Sequence, residues 1–64
     1  MANSVTEHVQ TMIDELTAGL ADAGKHENGN ASAGTRLRKT LQSIKTSATN
    51  VRKQIQEEKN ATTN

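Results

Sequence analysis

From Leu37 to Ile55 the apolar residues Leu37, Leu41, Ile44, Ala48, Val51 and Ile55 alternate four and three apart without a break. This is the seam of a coiled coil, in which a helix returns to one face every ~3.5 residues. Proline, which would break such a helix, is absent from the whole sequence. The seam therefore predicts a helix over about residues 31–58, ~42 Å long at ~1.5 Å per residue. Asn30 or Ser32 is placed to cap its start with a short polar side chain.

The first half predicts a second, shorter helix. Ser4-Val5-Thr6-Glu7 has the form of a capping box, in which Ser4 and Glu7 satisfy each other's backbone amides. Val5, Val9, Met12, Ile13, Leu16 and Leu20 then form one apolar stripe at helical spacing. Gly24 is the expected stop, which gives a helix over about 5–23 and a loop over 24–30. Residues 60–64 carry no pattern and are expected to fray.

A short loop between two helices predicts an all-α, antiparallel two-helix hairpin, one unit spanning residues 1–64. Centring the turn near Glu27 would set Leu20 beside Gly34, Ile13 beside Leu41 and Val5 near Ala48. Val51 and Ile55 would then overhang the first helix, uncovered. Hydrophobic residues are only 31% of the chain, and Phe, Tyr and Trp are missing altogether. A lone hairpin of this composition has little to bury, so self-association into a four-helix bundle or larger assembly is expected. The seam residues Leu37, Leu41, Ile44, Val51 and Ile55, with the first helix's stripe, are the expected contacts of this homo-oligomer.

The chemistry-bearing residues are sparse. There is no cysteine, and the two histidines, His8 and His26, are not at metal-ligand spacing. The glycines form no phosphate-binding loop, and no serine has a base beside it. Asn30-Ala31-Ser32 and Asn60-Ala61-Thr62 match the glycosylation pattern but lack a signal peptide to give it meaning. No apolar run approaches the ~18 residues of a membrane span. The expectation is a soluble, intracellular protein that is not an enzyme. Neither a metal, a cofactor nor a small-molecule substrate is expected, and no membrane association.

Charge is more informative. Residues 1–24 hold Glu7, Asp14, Glu15 and Asp22 and no Lys or Arg, a charge of −4. Residues 25–64 hold all eight Lys and Arg against three acids, a charge of +5. Arg38, Lys45, Arg52 and Lys59 recur every seven residues along one edge of the seam. Lys39 and Lys53 lie beside them, and Arg36 flanks the other edge. Cations so spaced can follow phosphates along a duplex. They can equally be flanking positions of a coiled coil that pair with acids of a neighbour. The lack of aromatics argues against stacking on unpaired bases. Gly34 interrupts the helix near the apolar edge, where it would allow close approach of the facing helix, and Thr35 beside it could donate to a phosphate.

The segment Gly29–Asn60 resembles the small histone-like proteins of bacteria and large viruses, typified by the chlamydial linker-histone-like type. The likeness lies in Gly29-Asn30, in Ala33-Gly34-Thr35-Arg36-Leu37-Arg38-Lys39, and in Val51-Arg52-Lys53 with Ile55-Gln56-Glu57 behind them. The acidic first helix matches only in character. The resemblance implies non-specific binding of double-stranded DNA and compaction of a nucleoid or a viral genome. The chlamydial type has a long tail rich in Lys and Ala, and this sequence ends at Asn64 without one. Contact with DNA would then fall to Arg36, Arg38, Lys39, Lys45, Arg52 and Lys53. The competing expectation is a coiled-coil interaction module that binds itself or another protein and leaves DNA alone.

Overall fold

The computed structural model describes residues 4–62, where α1 (Val5–Glu27) and α2 (Ala31–Thr62) form an antiparallel hairpin. The molecule is a rod of 53 × 17 × 15 Å. Its first turn follows the sequence. The Glu7 amide donates to Ser4 Oγ at 3.1 Å and the Ser4 amide donates to Glu7 Oε1 at 2.9 Å, the reciprocal capping box.

The turn lies later than the spacing suggests. α1 runs through Gly24 and ends at Glu27, leaving Asn28, Gly29 and Asn30 as the whole connection. Gly29 is the residue that stops the helix, at φ +97°. Its amide donates to the His26 carbonyl and the Asn30 amide donates to the Lys25 carbonyl, each at 2.9 Å. This crossed pair closes a helix with a left-handed glycine one position beyond its cap. Asn30 then opens α2, its Oδ1 accepting from the Ala33 amide at 3.0 Å. At the far end α2 continues through Asn60 and Ala61 to Thr62, where fraying was expected. Thr63 and Asn64 of that expected tail lie outside the described residues.

The later turn changes the register. Gly19 lies against Leu37, where an added Cβ would come within 3.1 Å of Leu37 Cδ1. The His26 ring rests over Gly34, so this glycine does serve close approach by the facing helix. His8 lines a small cavity at the open end together with Ser47, Asn50, Val51 and Gln54. Val51 is therefore covered, at 6% exposure, and the predicted overhang begins beyond it.

α1 is also turned about its axis relative to the expected packing. Val5, His8, Met12, Glu15, Gly19 and Asp22 face α2 as half-buried or buried residues. The stripe of Val9, Ile13, Leu16 and Leu20 lies one residue further on, ~100° round the helix, and remains exposed. Neither Leu20 beside Gly34 nor Ile13 beside Leu41 exists as a buried pair. The reason is steric and electrostatic. Gly19 and the fully buried Ala33 permit close approach, and Asp22 meets Arg36 across the same seam. From α2, Leu37, Thr40, Ile44, Ser47, Val51 and Gln54 complete it. Ala33 and Val51 are the buried hydrophobic residues among those described.

Candidate nucleic-acid interface

Six basic side chains were expected to serve one surface, and the structure sorts them into two groups. Arg36 is held: its Nε and Nη2 donate to Asp22 Oδ1 at 3.2 and 3.0 Å, tying α2 to α1. The other five, Arg38, Lys39, Lys45, Arg52 and Lys53, are exposed. Among the described residues none of these five takes part in an ion pair or side-chain hydrogen bond.

Helical phase explains the division. With Leu37, Ile44 and Val51 turned to α1, the residues Thr35, Gln42, Thr49 and Gln56 fall on the opposite side of α2. Arg38 and Lys39 flank that outer line on either side, as do Arg52 and Lys53. Two shallow open grooves result. Thr35, Arg38, Lys39, Leu41, Gln42 and Lys45 line one. Thr49, Arg52, Lys53 and Gln56 line the other. Arg36 lies on the edge next to α1 and contributes to neither.

The expected oligomer seam divides as well. Leu37 and Ile44 are half-buried and Val51 buried, all three within the hairpin. Leu41 and Ile55 face outward at 48% and 47% exposure. On an antiparallel pair they point to the same side as Val9, Ile13, Leu16 and Leu20 of α1. The molecule thus has a polar edge, held by Asp22 and Arg36, and an apolar edge on the other side of the seam.

Sequence reasoning missed Asp22 as the partner of Arg36. The signal lay in their near-equal distance from the Asn28-Gly29 turn, once that turn is placed correctly. It also missed Gln42, Thr49 and Gln56 as groove residues. The remaining titratable groups converge on nothing: among the described residues no three His, Asp or Glu stand together as metal ligands. No helix of the described residues is long and apolar enough to cross a membrane.

A rod of two helices whose longer member turns unpaired cations outward is a small α-helical protein with a cationic outer face. The family model described as histone H1-like protein Hc1 matches residues 6–61, and the chain belongs to that family. The match extends the likeness of Gly29–Asn60 across α1. No curated protein and no solved structure gives a significant match.

Proposed function

We propose that the outer face of α2 binds double-stranded DNA without sequence preference, and that the protein helps compact a nucleoid or a viral genome. The observation that carries the reading is that Arg38, Lys39, Lys45, Arg52 and Lys53 are exposed on α2 and engaged by no acid among the described residues. Membership of a histone H1-like family supports it independently. Binding would neutralise phosphates and release their counterions, so log affinity should fall linearly with log salt, by ~0.9 for each contact. Different duplex sequences should bind almost equally, since no group is arranged to read base edges.

Anisotropy or gel-shift titrations of random-sequence duplex over a salt series test this. Reversing Arg38 and Lys39 to Glu should abolish binding with helicity intact. Arg36 is left out of that variant, because an acid there would confront Asp22 and disturb the hairpin. Undetectable binding of the parent at low salt would overturn the reading in favour of an interaction module that does not use DNA.

Self-association belongs to the same proposal. The exposed apolar edge of Val9, Ile13, Leu16, Leu20, Leu41 and Ile55 suits a second copy in the same pose, giving a four-helix bundle. It lies beside the cationic face and shares Leu41 with the first groove. Pairing would raise the weak affinity of each chain through multivalency.

A further inference from the structure

Thr35-Arg36-Leu37-Arg38-Lys39-Thr40-Leu41-Gln42 recurs fourteen residues on as Thr49-Asn50-Val51-Arg52-Lys53-Gln54-Ile55-Gln56. Both copies match the pattern Thr-x-(Leu or Val)-Arg-Lys-x-(Leu or Ile)-Gln. Fourteen residues are about four helical turns, so the copies share one face with their centres ~21 Å apart.

The structure gives the two copies the same register, although Glu57 and Glu58 follow the second copy where Ser43 and Ile44 follow the first. Leu37 and Val51 both face α1. Leu41 and Ile55 are exposed to nearly the same degree, 48% and 47%. The Thr35 hydroxyl donates to the carbonyl four residues back, that of Ala31, and the Thr49 hydroxyl does likewise to Lys45. Each copy forms its own groove on the outer side. Equivalence of sequence, register and exposure is more than a diffuse basic helix requires.

We infer that these are two phosphate cradles of one pattern, and that a single α2 grips both backbones of one DNA duplex across its major groove. Arg and Lys flank each cradle and supply the charge. The Gln42 amide adds a donor to the first, while the Gln56 amide donates to Asn60 Oδ1 at 3.3 Å and keeps its second N–H. The major groove is ~12 Å wide, so cradles ~21 Å apart reach over it from one rim to the other. The inference rests on the DNA reading and specifies its geometry.

The test compares Arg38→Gln/Lys39→Gln with Arg52→Gln/Lys53→Gln in the full chain, with circular dichroism to verify the fold. Each double variant should lower the salt slope on random-sequence duplex by the same amount, ~1.8 if two contacts are lost. A third variant adds Ser43→Lys and Asn50→Lys to Arg52→Gln/Lys53→Gln, which restores the net charge on the polar edge. It should remain as weak as its parent double variant. Methyl green, which occupies the major groove, should displace the protein, and the minor-groove ligand netropsin should not. Unequal slopes for the two double variants would overturn the inference, as would full rescue by relocated charge or competition by netropsin alone. A parent that fails to bind at all would instead bring down the DNA reading itself.

Discussion

Three of the glycines make opposite demands, which single substitutions can separate. Gly24 sits inside α1 with nothing within 4 Å of where its Cβ would be. Ala there should raise stability by ~1 kcal/mol through helix propensity alone. Gly29 holds the left-handed conformation at φ +97°, and Ala there should cost ~1–2 kcal/mol. Gly19 is buried against Leu37, and a large residue such as Leu should force the helices apart at a cost of ~1–3 kcal/mol. Thermal melts of the three variants at one protein concentration check the order. A Gly24→Ala variant that melted below the parent would mean that α1 ends near Gly24 after all. The Asp22–Arg36 pair is half-exposed on the arginine side, so Asp22→Asn should cost no more than ~1 kcal/mol.

At the scale of the helix, the sequence was legible where a side chain acts on its own backbone, and less so where it acts on another helix. Ser4 and Glu7 announced the start of α1 because a capping box is a local device. The continuous spacing from Leu37 to Ile55 announced α2 because its period is that of a helix, whichever neighbour the face meets. Gly24 misled because a glycine marks only where a helix can stop, and Gly29 with its two polar neighbours stops it better. The face of α1 was misjudged because its apolar residues span more than one side. Val5 and Met12 lie in the seam, while Val9, Ile13, Leu16 and Leu20 do not. The seam accepts Glu15 in their place, with its Oε1 buried and unpartnered among the described residues. An unsatisfied buried acceptor costs ~1–3 kcal/mol, so Glu15→Leu should stabilise the protein by about that much. Denaturant titration would check it, and a loss of stability would indicate that the carboxylate has a partner in solution.

Over the whole molecule, the exposed apolar edge predicts that stability depends on protein concentration. The melting temperature should rise between micromolar and tenfold higher concentration, and sedimentation should show at least a dimer. Ile13→Asp should abolish the concentration dependence, because Ile13 is exposed on that edge. Val51→Asp should unfold the hairpin at any concentration, because it buries an unpaired charge. A stable monomer that melts at one temperature throughout would refute the self-association. The basic residues of the candidate surface were legible in the sequence as a group. Their division was not, because Arg36 is separated from Arg38 only by the phase of α2 against α1.

That phase has a consequence for growth. A body with exposed apolar residues along one side closes that side once it meets a single twin. A filament joined by apolar contact needs two unlike, mutually fitting apolar sides, and the described residues present one. If the protein pairs as proposed and draws a long polymer together, the polymer itself can carry the connections, with each pair acting as a two-headed staple.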